Sequence, residues 1–250
     1  MDPTEKLTTR TVIQRDYAII DPAGFCPTRV PGFEGCTVNI MASPGLGADF
    51  VHYLVHIPPG ERAVLSPGPG AQTFAYVLDG EASARANANS WGLVRGGYVY
   101  AAPGDNLEIR NIVEGDLNLV VFRHRHRFGP GEAPWMIAGD IDGVDPDPRE
   151  PGSFEQRRLL PDEPAFDLMI NVLDFDPGDS HPFVENHHET HGLYMLEGGG
   201  RYFLGDGWYE VRAGDYVWMG HFVPQAFVCG DGGRTRYLYS KEANRDAELL

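Results

Sequence analysis

Thr73-Phe74-Ala75-Tyr76-Val77-Leu78-Asp79-Gly80 and His191-Gly192-Leu193-Tyr194-Met195-Leu196-Glu197-Gly198 are two versions of one phrase, set 118 residues apart in a chain of 250. Trp91, Val94 and Gly97 stand 117 residues ahead of Trp208, Val211 and Gly214, so a single-residue gap reconciles the two offsets. Self-similarity at about half the chain length predicts two copies of one structural unit. Within the second copy, Met169 to Phe175, Arg201 to Leu204, Asp215 to Met219 and Tyr237 to Ser240 alternate in polarity and are bounded by Gly, Pro or Asp-Gly. Such runs are antiparallel strands that bury one face. The expected fold class is therefore all-β, with two similar barrels or sandwiches in one chain.

Ala138-Gly-Asp-Ile-Asp-Gly-Val-Asp-Pro-Asp-Pro-Arg-Glu-Pro-Gly152 lies between the copies and is rich in Asp, Pro and Gly, the composition of a joint that few contacts cross. The expected division is a first barrel at 1–138, an acidic joint at 139–152 and a second barrel at 153–250. Asp140, Asp142, Asp145 and Asp147 lack the spacing and the closing Glu of a calcium-binding EF-hand loop, so the joint reads as a solvated linker.

Composition excludes several classes. Hydrophobic residues make up 42%, and 31 Gly and 20 Pro punctuate short apolar runs, as in a folded chain with many turns. A formal net charge of −16 with no Lys/Arg cluster repels phosphate backbones and anionic membranes, so neither nucleic acid nor membrane is an expected partner. Met1 to Ile20 lacks a signal-peptide pattern, and no apolar run is long enough for a bilayer. Cys26, Cys36 and Cys229 are odd in number and widely separated, which disfavours disulfides or a thiolate zinc site and makes a reducing cytoplasm the expected setting.

Glu185-x-His187-x-x-x-His191 is the most informative stretch for chemistry. Residues two apart in an extended strand share a face, so one carboxylate and two imidazoles would project to one side. Such a set suits mid-series divalent metals and leaves coordination positions open. Nine histidines also cluster on polar edges by chance, and the flanking residues decide the matter. The region resembles the two short motifs of the cupin superfamily, with a carboxylate and an imidazole exchanged in the first. Glu185, His187 and His191 fall on its ligand positions, Gly198 closes it, Gly214 opens the second motif, and Gln225 falls where the last ligand belongs. That resemblance implies two jelly-roll-type cupin barrels, a bicupin, and four metal ligands: Glu185, His187, His191 and Gln225. Such a set is consistent with manganese or ferrous iron; manganese is the expected ion, and nickel and zinc stay open on ligand type. Projected back through the repeat, the positions become Pro67, Pro69, Thr73 and Glu108, so the first barrel is expected to keep its fold without a metal. His188 and His221, like His52, His56, His124 and His126, are expected at the surface or in packing.

Pro31-Gly-Phe-Glu-Gly-Cys36, Ala133-Pro-Trp135, Gly214-Asp-Tyr216, Met219-Gly220, Tyr239-Ser-Lys241 and Asn244-Arg-Asp246, together with the ligand stretch, are similar to the (S)-ureidoglycine aminohydrolase family from about Arg15 to Asp246. The resemblance implies a manganese-dependent hydrolase that releases ammonia from (S)-ureidoglycine to give (S)-ureidoglycolate in allantoin and purine breakdown. It also implies a homo-oligomer acting on a small molecule, with Tyr202, Tyr237 and Lys241 as substrate-site residues. On residues alone, Tyr237, Tyr239 and Lys241 alternate onto one face of the last strand; without the resemblance the tyrosines read as core and the lysine as exposed. Two alternatives stand beside this reading: a cupin oxygenase or isomerase using Fe(II), and a non-catalytic bicupin that binds a small ligand.

Overall fold

Strands account for the regular structure, apart from two three-residue 3-10 turns at Pro22–Gly24 and Ile141–Gly143, in a computed structural model that describes residues 8–66, 68, 70–127, 133–147 and 154–247. A six-stranded sheet runs in the order Ile137–Asp140, Gly97–Ala101, Ala71–Asp79, Leu117–Arg125, Val51–Ile57, Thr37–Ala42, and a four-stranded sheet in the order Arg62–Val64, Leu107–Asn111, Ala82–Ala86, Asn89–Leu93. Between them lies a core that includes Val55, Leu65, Ala75, Val77, Ile109 and Val121. The second unit pairs a seven-stranded sheet with a three-stranded one. The former is ordered Val12–Ile13, Tyr17–Ile20, Tyr216–Met219, His191–Glu197, Thr235–Glu242, Leu168–Phe175, Glu155–Arg158; the latter Gly207–Arg212, Gly199–Leu204, Gln225–Cys229. Its core includes Phe175, Leu193, Met195, Tyr202, Phe227 and Tyr237. The fold is the expected all-β cupin architecture.

A third core joins the units. Phe74, Tyr76, Tyr98 and Phe122 from the six-stranded sheet meet Ile170, Tyr194, Tyr216 and Trp218 from the seven-stranded one. Side chains alternate along a strand, so Ala75 and Val77 point into their own barrel while Phe74 and Tyr76 point at the other. Burial on both faces explains why the repeated phrase reads as a nearly continuous apolar run instead of a clean alternation. The phrase closes on Gly80 and Gly198 for a shared reason: their φ values are +91° and +72°, and an added Cβ would lie 2.5 Å from the Asp116 oxygen and 2.4 Å from the Arg234 oxygen, respectively.

The expected domain division needs correction at both ends. Tyr17–Ile20 belongs by sequence to the first unit but pairs with Tyr216–Met219 of the second. Ile137–Asp140 pairs with Gly97–Tyr100 of the first unit. Each barrel thus borrows an edge strand from the segment ahead of the other. The borrowed strands gain backbone partners, and Ala18 and Ile19 become fully buried. The acidic joint is likewise not a contact-poor linker in its described part. Asp140 accepts from the Asp142 N–H to cap the turn, Ile141 is buried and its N–H donates to the Gly96 carbonyl, and Asp147 pairs with Gln156. Residues 148–152 lie outside the described residues. No described helix is long and apolar enough to cross a membrane.

Candidate metal centre

Strand register places the inner-face residues of the second barrel in cross-strand rows. Met169, Lys241, His191 and Met219 form one row; Arg158, Asn171, Tyr239 and Leu193 the next; Gln156, Leu173, Tyr237 and Met195 the third. These rows floor a cavity of about 320 Å³, walled on the opposite side by Tyr202 and Gln225 of the three-stranded sheet.

Glu185 and His187 do not arrive on a continuous strand with His191, contrary to the extended-strand expectation. The segment ahead of His191 touches the Gln225–Cys229 strand at two isolated bridges, Ser180 with Val228 and Glu185 with Gln225. Five steps on one side span three on the other, and Pro182 has no N–H to give a ladder, so the segment bulges outward. The Glu185 N–H donates to the Gln225 carbonyl at 2.8 Å, and the Gln225 N–H returns the bond at 2.9 Å. This pair of hydrogen bonds brings the bulged segment to the cavity mouth.

The side chains of His187, His191 and Gln225 converge. The Gln225 amide nitrogen is 3.0 Å from His187 Nε2 and 3.2 Å from His191 Nδ1, and the imidazole centroids are 4.6 Å apart. Burial pushes the pKa of both histidines down, with the Lys241 charge adding to it for each, and at His191 the neighbouring His187 acts the same way. Both rings are therefore neutral near pH 7 and have lone pairs to offer. His187 Nδ1 stands 3.1 Å from Glu189 Oε2, which turns Nε2 toward the centre, an arrangement that orients metal-binding imidazoles. His191 Nε2 is buried without a hydrogen-bond partner.

These donors fit a divalent ion in part. Two neutral imidazoles and an amide whose oxygen comes inward on rotation stand within reach of one another, and Glu185 lines the same cavity. Among the described residues, however, no three His, Cys, Asp or Glu side chains are grouped tightly enough to hold a cation unaided. A cation held here would therefore also need Gln225 and the Glu185 carboxylate.

Lys241 and Tyr237 lie on the cavity floor and Tyr202 faces them. Burial raises both phenol pKa values, and the two hydroxyls are hydrogen bonded to each other, so both stay protonated donors at neutral pH. His181, absent from the sequence reading, places Nε2 2.9 Å from the Tyr237 hydroxyl; burial lowers its pKa to about 4. Asn171 donates to the Tyr239 hydroxyl at 2.7 Å. Gln156 and Arg158 also line the site, and the uniformly polar run Glu155–Arg158 carries no alternation that could have marked them.

The other histidines are apart from this centre. His52 and His124, 2.9 Å apart between ring nitrogens, are buried between the barrels with Tyr216 and Ser240, and His126 pairs with Asp167 at 2.8 Å. His188 and His221 stack on each other away from the cavity, with centroids 4.6 Å apart. In the first barrel, Glu108 faces outward to Arg62 at 3.0 Å, and register makes Leu107, not Glu108, the counterpart of Gln225. Pro67 and Pro69 lie outside the described residues.

No family profile matches the chain. It is 36% identical to (S)-ureidoglycine aminohydrolase of Escherichia coli (strain K12), over 97% of this chain and 95% of that one. The chain belongs to the (S)-ureidoglycine aminohydrolase family. Among solved structures, the E. coli protein Ylba superposes on this family member with a TM-score of 0.88 at 33% identity, over all of both chains. The Mn(II)-containing oxalate decarboxylase of Bacillus subtilis shares the fold, with a TM-score of 0.70 at 13% identity over 98% of this chain and 81% of that one.

Proposed function

We propose that the protein is a hydrolase that releases ammonia from (S)-ureidoglycine to give (S)-ureidoglycolate. The relatives' shared activity supports this reading, and the observation that carries it is one cavity with neutral imidazoles, protonated phenols and a lysine on facing walls. Glu185, His187, His191 and Gln225 would hold a manganese ion. Such an ion, when bound, supplies Lewis acidity and lowers the pKa of bound water. The protein's own residues bind and steer the substrate. Lys241 has no carboxylate at direct ion-pair distance among the described residues, which leaves its ammonium for the substrate carboxylate. As the carbon–nitrogen bond to the amine breaks and a carbon–oxygen bond to water forms, the leaving nitrogen takes a proton. Lys241 and the Tyr202–Tyr237 pair are the protonated groups at hand.

Metal analysis of the purified protein, paired with ammonia release from freshly generated ureidoglycine without oxygen, tests this reading. About one manganese per chain and oxygen-independent ammonia support it; an oxygen requirement would favour an Fe(II) oxygenase. A cytoplasmic setting agrees with three free cysteines, and a homo-oligomer is part of the proposal through the family resemblance.

A further inference from the structure

Beyond the metal centre, the cavity has a second polar end. Gln156 and Arg158 lie on the edge strand of the seven-stranded sheet, both line the cavity, and both alternate inward toward Leu173 and Asn171. Arg158 stands two strands and two residues away from Lys241 in the register, a backbone separation of about 12 Å from strand spacing and rise. The two long side chains approach from opposite ends, which leaves room between them for a compact two-ended molecule.

Their charge states differ. Arg158 Nη1 bonds the Asp162 carboxylate at 2.7 Å, so its charge is already paired, while its Nε is buried with no hydrogen-bond partner. The guanidinium is thus partly compensated, and an N–H turned to the cavity suits a neutral carbonyl oxygen. The Gln156 side chain lines the same cavity from two residues along the strand and offers an amide oxygen there. A donor next to an acceptor complements a terminal carbamoyl group, whose oxygen accepts and whose NH2 donates.

We propose that Gln156 and Arg158 form the subsite for the ureido end of the ligand: a cavity-facing N–H of the Arg158 guanidinium donates to the ureido oxygen, and Gln156 Oε1 accepts from its terminal NH2. This rests on the ureidoglycine reading and gives it a direction, with the ureido group toward the edge strand and the carboxylate toward Lys241. An acceptor left without a donor disfavours the analogue that lacks the terminal NH2, so the subsite is a discriminator.

The test is calorimetric binding of two unreactive probes to the metal-loaded, full-length protein. N-carbamoylglycine carries the ureido group; N-acetylglycine replaces its terminal NH2 with a methyl group and keeps carbonyl and carboxylate. The parent protein is expected to prefer N-carbamoylglycine by about tenfold or more. Gln156→Leu should bring that ratio close to one while leaving N-acetylglycine affinity unchanged. Arg158→Lys, which keeps the pairing with Asp162, should weaken both probes through the shared carbonyl, by about tenfold, and leave glycine binding untouched. Metal content and unfolding temperature serve as checks on each variant, and Gln156→Leu decides the issue if Arg158→Lys folds poorly. A preference that survives Gln156→Leu overturns the subsite while leaving the ureidoglycine reading intact. Loss of glycine affinity in Arg158→Lys would assign Arg158 to the carboxylate and also overturn it. A parent protein with no preference would sink both.

Discussion

Where the second barrel carries His191, Lys241, Tyr239, Tyr237 and Gln225, the first carries Thr73, Arg123, Val121, Leu119 and Leu107 at the same register positions. The scaffold is kept, down to the paired glycines, and the inner face has changed from a polar lattice to an aliphatic one. Leu107, Leu119 and Val121 are fully buried, and Arg123 is turned onto the Tyr53 ring at 5.7 Å. A barrel interior accepts either lining, because closure and strand pairing do not depend on which side chains fill it. The faces between the barrels are another matter, since both copies keep large aromatic residues there. On the proposed function, chemistry belongs to one half, while the other acts as a packing partner.

The largest test of that asymmetry is His191→Ala, expected to take metal content from about one ion per chain to nearly none and to lower ammonia release by about 1,000-fold or more. Thr73→Ala should change neither in elemental analysis and steady-state rates. Next comes the pair Lys241→Met and Arg123→Met. Removing the cavity ammonium should reduce kcat/KM by about 30-fold to 1,000-fold with metal retained. Removing its counterpart should cost only about 0.5–1 kcal/mol of stability, through the lost cation–π contact, and no activity. Equal kinetic effects would break the comparison.

A smaller effect is expected at Gly192, whose counterpart is the bulky Phe74. A Cβ there would come within 2.2 Å of the Tyr216 hydroxyl and 2.5 Å of the His52 ring, so the site strand can pass the inter-barrel histidines only as glycine. Gly192→Ala should destabilise the fold by about 1–3 kcal/mol in urea titration. A comparable effect is expected from pH, at the contact between the barrels. Glu242 has its pKa raised to about 7 by burial and by Asp49, against the pull of Arg245, while Asp49 is held low. The folded protein thus binds more protons than the unfolded chain from about pH 4.5 to 7, so stability should fall by about 1–3 kcal/mol as pH rises through that window. Glu242→Gln should flatten this limb.

The repetition and the gathering of His187, His191 and Glu185 near one cavity were legible in the sequence because each shows in a short stretch: a phrase closing on glycine, and three residues within seven positions. Three features were not. The bulge ahead of His191 depends on pairing with the distant Gln225–Cys229 strand. Gln156 and Arg158 sit in a run that is polar at every position, and only the sheet order puts one face of it against Leu173 and Asn171. The lost ligand of the first barrel was set one position off, at Glu108, because a repeat offset ambiguous by one residue swaps the inner and outer faces of a strand.

The borrowed edge strands point to a mode of assembly. Tyr17–Ile20 lends itself to the strand at Tyr216–Met219, and Ile137–Asp140 lends itself to the matching strand at Gly97–Tyr100. That reciprocity has the geometry of a two-fold pair of barrels, each reaching an arm across to the other, within one chain. A chain cut within its connecting segment would thus yield two halves that each hold the other's missing piece, and mixed together they should find each other again.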